Sequence, residues 1–254
     1  MPQFEEYKHK GTIFQVRLPL EWDEFKDYLE FEGIKFLKMV NLIGFFEVFS
    51  RSDYEFGGLK DCIFIDVGAN TADSTLYAAS KEHISSVYAY EPFPEIYKIA
   101  KVNLELNPRL AEKVKLYNYG WFDKNKRITT TEVNNINASA VNTIIPEFAE
   151  IIKREQCHEV ELEIRRSSDV LKEIIKQHSN NPIVLKMDIE GAEYECVKDI
   201  DKAGLLKKID IVFMEWHIKG YKQITDILEK NGFIWFNEKL SGNSGFIRAY
   251  RKSV

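Results

Sequence analysis

Chemistry enters this sequence at Asp66-Val67-Gly68-Ala69-Asn70, where a glycine directly follows the apolar run Cys62 to Val67. A glycine there lets the backbone turn closely past a bound cofactor, and the helix that follows presents unpaired N–H groups at its start. Glu91 closes the next apolar run, 23 positions after Gly68, where a carboxylate can accept both hydroxyls of a ribose. Together these features describe a nucleotide-type site. The dinucleotide signature is missing, because residues 69–74 read Ala-Asn-Thr-Ala-Asp-Ser with no further glycine to seat a pyrophosphate. Asn70, Thr71 and Asp73 instead suit the ammonium and carboxylate of an amino-acid moiety, which fits S-adenosylmethionine. The candidate cofactor contacts are thus Asp66, Gly68, Ala69, Asn70, Asp73 and Glu91.

Such groups need a parallel sheet covered by helices to hold them. From residue 61 onward short apolar runs alternate with amphipathic stretches, the sequence form of an α/β fold. Strands are expected at 62–67, 86–90, 114–118, 127–133, 159–165, 183–187, 209–214, 233–237 and 245–250. Helices are expected over 72–82, 94–106, 146–156, 169–178 and 221–230. Residues 1–60 hold 13 of the chain's 33 Phe, Tyr and Trp, which sets them apart as an N-terminal extension before a domain spanning 61–254. These aromatics are read as packing onto the core, with a lid or subunit contact as the alternative. The chain of 254 residues has 35 basic and 40 acidic side chains, so it lacks the electrostatic footprint of a nucleic-acid binder. No segment has the length of a membrane span or the apolar core of a signal peptide, and three scattered cysteines read as reduced thiols, so a cytoplasmic protein is expected.

Four blocks in order, Phe64-Ile65-Asp66-Val67-Gly68-Ala69-Asn70, Tyr88-Ala89-Tyr90-Glu91-Pro92, Leu185-Lys186-Met187-Asp188-Ile189-Glu190-Gly191-Ala192-Glu193 and Val212-Phe213-Met214-Glu215-Trp216-His217, resemble the motifs of the FkbM family of S-adenosylmethionine-dependent methyltransferases. The resemblance covers about residues 61–237. It implies a Rossmann-like class I methyltransferase fold, with a mostly parallel seven-stranded sheet, its last strand antiparallel, and helices on both faces. It also implies O-methylation of a hydroxyl on a sugar or other small-molecule acceptor. By the same resemblance Asp123 would bond the adenine amine, with Trp121 or Phe122 on a ring face. One departure stands out: the family usually has Ile-Gly where this chain has Thr71-Ala72, and the added methyl is expected to crowd the methionine part of the cofactor.

In the implied strand order, the strand ending at Asp188 lies between the first strand and the one ending at His217, so two acid-rich strand ends converge. His217 is the expected general base, since histidine titrates near working pH and methyl transfer needs an in-line acceptor relieved of its proton; a strand-capping role is the alternative. Asp188 and Glu190 are the other candidate catalytic residues, orienting the acceptor or the histidine. A divalent-metal role and capping of the helix from Ala192 are competing readings, and no metal is assigned. Asn134 to Thr143 and the first 60 residues are the expected acceptor walls. A small-molecule or carbohydrate acceptor is the expected partner, with homo-oligomer formation left open. The same glycine turn and Glu91 also allow a nucleotide-dependent oxidoreductase, and Ala72 allows a degenerate methyltransferase domain kept as a binding module.

Overall fold

The computed structural model describes residues 4–9, 12–17, 28–37, 45–133, 142–145 and 157–252. Two antiparallel hairpins come first, β1 (Phe4–His9) with β2 (Thr12–Arg17) and β3 (Tyr28–Phe31) with β4 (Ile34–Leu37), and a π-helical turn follows at Phe46–Ser50. The run Cys62–Val67 forms β5, and α1 (Asp73–Ser80) begins after the glycine turn. The chain continues through β6 (Ile84–Tyr90), α2 (Pro94–Glu105), the single turn α3 (Pro108–Ala111) and β7 (Val114–Tyr117). Next, β8 (Gly120–Phe122), β9 (Lys126–Val133) and β10 (Cys157–Arg166) make a separate sheet with β10 in the middle. The remainder is α4 (Ser167–Gln177), β11 (Ile183–Met187), α5 (Glu193–Lys202), β12 (Ile211–His217), α6 (Lys222–Lys230), β13 (Phe233–Lys239) and β14 (Ser244–Arg251). The helix expected over 146–156 falls outside the described residues.

The main sheet has seven strands in the order β13-β14-β12-β11-β5-β6-β7. It is parallel from β7 to β12, and β14 runs antiparallel to both of its neighbours. This is the expected Rossmann-like α/β arrangement. Alternation along β5 splits the core in two. Ile63, Ile65 and Val67 face α4, α5 and α6, while Cys62 and Phe64 face α1 together with Val48, Tyr54 and Phe56 from the N-terminal stretch. Tyr54 and Phe56, with Phe49 against them, therefore pack where the sheet's second face would otherwise be wet. Phe31, Phe36, Phe45 and Phe49 build an edge-to-face cluster that reaches Tyr77 on α1.

Two local findings revise the expected details. β12 runs on to His217, beyond the apolar run, because its ladder with β14 continues to the pair His217 and Ser244. Ala72 does not line the central cleft; it is buried at the start of α1 with φ of 72°. The left-handed conformation explains why glycine suits this position, and alanine there bears strain of roughly 1 to 2 kcal/mol instead of crowding a cofactor.

Candidate functional site

Past the carboxyl ends of β5, β6 and β11 lies a cleft of about 1020 Å³, its open mouth included. Ligands bind at such strand ends in open α/β sheets. Gly68 and Ala69 donate their N–H groups to the Tyr90 carbonyl at 3.0 and 2.9 Å, which ties the glycine turn to the end of β6. That places Glu91 against the turn: its Oε2 accepts from Asn70 N and its Oε1 from Phe93 N, both at 2.9 Å. Burial pushes the Glu91 carboxyl up to about 7, against those two N–H bonds. Gly68, with φ of +85°, is required by a different neighbour from the one its position suggests. A Cβ there would fall 1.8 Å from the Asp188 carbonyl oxygen, so backbone, and no cofactor, already excludes any side chain.

Behind the turn sits a buried ion pair. Asp66 is wholly enclosed, accepting from the hydroxyls of Ser74 at 2.7 Å and Thr75 at 2.6 Å on α1. Lys186, a charge in the middle of apolar β11, places its Nζ 3.0 Å from Asp66 Oδ1 and donates to the Gly68 carbonyl at 2.5 Å. Asp66 thus holds the turn and does not line the cleft. Asp73 does line it: Oδ2 accepts from the Thr71 hydroxyl at 3.0 Å, while the buried Oδ1 has no hydrogen-bond partner. Burial pushes this carboxyl up to about 7. Trp121 lines the cleft, whereas Asp123 sits past β8 in a bend and is not brought to it.

At the other end Asp188, Glu190 and His217 come together, with one ligating atom from each within 4.8 Å of the others. β11 stops at Met187, so Asp188 and Glu190 meet through a turn in which Glu190 has φ of 52°, and not along one face of an extended strand. Glu190 does not cap α5 with its side chain. His217 is clasped by carboxylates: Nδ1 lies 3.0 Å from Glu193 Oε1, and Nε2 lies 3.5 Å from Glu190 and 3.4 Å from Glu215. Burial alone would lower its pKa, but Glu190, Glu193 and Glu215 outweigh it and hold the imidazolium far above the ordinary range. His217 also stays out of the cleft lining, which Asp188 and Glu190 reach. A ring with both nitrogens engaged is poorly placed to take a proton from an acceptor, so this geometry favours an orienting role for His217.

Glu47, from the π-helical turn, enters the cleft near these acids; burial, then the charges of Glu215 and Asp188, push its carboxyl up to about 8. Tyr54, Asn142 and Ile144 line the same space, so the first 60 residues and the stretch near Thr143 both supply wall, with 134–141 outside the described residues. Sequence reasoning passed over Glu47, Lys186 and Glu193. Lys186 did carry a signal, as a lone charge in a buried strand must be paired; Glu47 carried none.

Comparison with known proteins agrees with this arrangement. The family described as "Methyltransferase FkbM domain" matches residues 66–235. Methyltransferase sdnD of Sordaria araneosa is 30% identical over 209 residues, covering 74% of this chain and 80% of that protein. Methyltransferase 1 of Beauveria bassiana is 26% identical over 197 residues, covering 74% and 78%. In fold, methyltransferase FkbM from Methylobacillus flagellatus KT superposes with a TM-score of 0.51 at 14% identity, over 80% of this chain and 46% of that one. The chain belongs to the FkbM methyltransferase family.

Proposed function

We propose that this methyltransferase uses S-adenosylmethionine and transfers its methyl group to a hydroxyl oxygen of a sugar or other small molecule. The donor reading rests on one observation, the convergence of the Gly68 turn, Glu91 and the unpartnered Asp73 Oδ1 on a single cleft. Asp73 would take the ammonium, Glu91 the ribose hydroxyls, and Trp121 would offer its ring to the adenine. The donor supplies an electrophilic methyl on a sulfonium. Asp188 would hold the acceptor hydroxyl in line and receive its proton as the oxygen–methyl bond forms and the sulfur–methyl bond breaks, with His217 and Glu190 steadying the carboxylate. The acidic lining of that end, Glu47, Asp188 and Glu190, favours a neutral acceptor over a phosphate-bearing one. Among the described residues no helix is long and apolar enough to cross a membrane.

Titration of the chain with S-adenosylhomocysteine tests the donor site. Glu91→Ala should weaken binding by about 1.5 to 3 kcal/mol, the range for hydrogen bonds to a charged group, with the fold retained. Unchanged affinity would refute the assignment, and a wild-type chain that binds no S-adenosylhomocysteine would favour a degenerate binding module.

The pH dependence has a definite sign. With Asp73 and Glu91 raised to about 7, both keep much of their protons below that pH, yet an ammonium and two donating hydroxyls favour the ionised forms. Binding therefore expels protons, and affinity should rise roughly tenfold per group from pH 6 to 8 and level off above. Calorimetry in two buffers of different ionisation heat should show proton release near pH 6.5; flat affinity across this window would count against both contacts.

A further inference from the structure

The acid-rich end of the cleft gathers more carboxyl groups than cationic partners. Asp188, Glu190, Glu193 and Glu215 surround the single imidazole of His217, while Lys186 is committed to Asp66 and the Gly68 carbonyl. We propose that Asp188, Glu190 and His217 bind one divalent first-row cation of the Mn2+ kind at this end of the cleft.

Three features of the geometry support it beyond the acidity. First, the three side chains converge, one ligating atom apiece within 4.8 Å, and two of them open onto the cleft. Second, Glu193 Oε1 lies 3.0 Å from His217 Nδ1 and also accepts from Ile189 N at 3.1 Å. With one proton kept at Nδ1 by Glu193, a cation at Nε2 would take the place of the second proton that the acids hold there, giving the carboxylate–histidine–metal relay of many metal sites. Third, Glu193 is completely buried, and its other oxygen, Oε2, has no hydrogen-bond partner. An enclosed carboxylate left half satisfied beside three more acids is costly, and a cation bound nearby would lower that cost.

The spacing around Nε2 leaves room for an ion. Its separation of 3.5 Å from the proposed ligand Glu190 exceeds that of a charge-assisted hydrogen bond, usually about 2.7 to 2.9 Å. It is slightly wider than the roughly 3.0 to 3.4 Å between atoms that share an ion about 2.1 Å away, so a small inward shift would close the site. Two carboxylates and one imidazole form an oxygen-rich mixed set, which suits Mn2+ better than a thiolate-seeking metal. In the proposed methyl transfer, on which this part of the inference rests, the cation would polarise the acceptor hydroxyl beside Asp188. The binding itself does not depend on that reaction.

The test uses the full chain and Mn2+ alone. Titration followed by electron paramagnetic resonance should show one tight site per chain as the signal of free Mn2+ is lost. Glu190→Gln, which is partly solvent-facing and tolerant of an amide, should abolish that site. Glu193→Gln, acting through His217, should weaken it by about 10- to 100-fold. Circular dichroism and S-adenosylhomocysteine binding should stay unchanged in Glu190→Gln, which reports on the fold and on the donor site separately. No stoichiometric Mn2+ uptake by the wild type, or uptake indifferent to Glu190→Gln, would overturn the site. Loss of S-adenosylhomocysteine binding in the wild type would instead overturn the donor assignment and leave the Mn2+ result standing.

Discussion

Lys186→Met should cost the protein about 3 to 5 kcal/mol of stability, the usual penalty for removing one partner of a buried ion pair. Lys186 is 3% exposed and Asp66 is 0% exposed, so no water replaces the lost ammonium. The Asp66 carboxylate would keep only the hydroxyls of Ser74 and Thr75, and the Gly68 carbonyl would lose its donor. Against a typical total of about 5 to 15 kcal/mol, such a loss leaves the chain marginal. Urea unfolding with linear extrapolation would measure it, and a loss below about 1 kcal/mol would show that the pair is solvated or dispensable. The double variant Asp66→Asn/Lys186→Met should recover part of the stability, because a neutral amide no longer demands a cation.

The largest expected effect on turnover comes from Asp188→Asn. An amide keeps the shape and a hydrogen-bonding oxygen yet takes no proton, so methyl transfer should fall by about 10²- to 10⁴-fold, the usual contribution of a positioned acid or base. The affinity for S-adenosylhomocysteine should change by no more than about twofold, since Glu91 and Asp73 are untouched. Transfer of labelled methyl from S-adenosylmethionine to a panel of hydroxylated small molecules gives the readout, using whichever member the wild type methylates. Equal turnover in the variant would remove Asp188 from the chemistry. His217→Gln separates the orienting role from a base role: a positioning residue should lose less than Asp188, and a base should lose as much.

Most of the parallel strands are legible in this sequence because they are apolar runs that end in polar or glycine-bearing turns, whereas their order is what the family resemblance implies. Ile183–Met187 matches the expected strand residue for residue, and its neighbours follow from the motif order. The positions of Glu91 and Asp73 at the cleft are legible for the same reason, since strand ends and helix starts are local features, whereas the Asp188 backbone that Gly68 answers to is not. The acceptor end was harder to read. That Asp188 and His217 approach follows from strand order, but that His217 turns both nitrogens into carboxylates depends on Glu193, a residue that looks like ordinary acid at a helix start. Glu47 arrives from a segment some 140 positions before Asp188 in sequence, brought in by aromatic packing that no local pattern encodes. Asp123 shows the converse. Its place after β8 matched the resemblance, but a bend follows Phe122, and the side chain does not line the cleft.

The Gly68 contact with Asp188 has a consequence for how the proposed reaction centre of this chain could change. The turn beside the proposed donor site and the residue at the proposed acceptor end touch through backbone, with no side chain between them to trim or enlarge. In the proposed reaction, a substitution at either turn would shift both reactants at once, and the distance between leaving sulfur and incoming oxygen would be set by main-chain geometry. On that reading, new acceptor preferences would come from the periphery, where Glu47, Tyr54, Asn142 and Ile144 belong to segments outside that joint. The reaction centre would be inherited as one rigid unit, while selectivity stays modular and evolves in the walls around it.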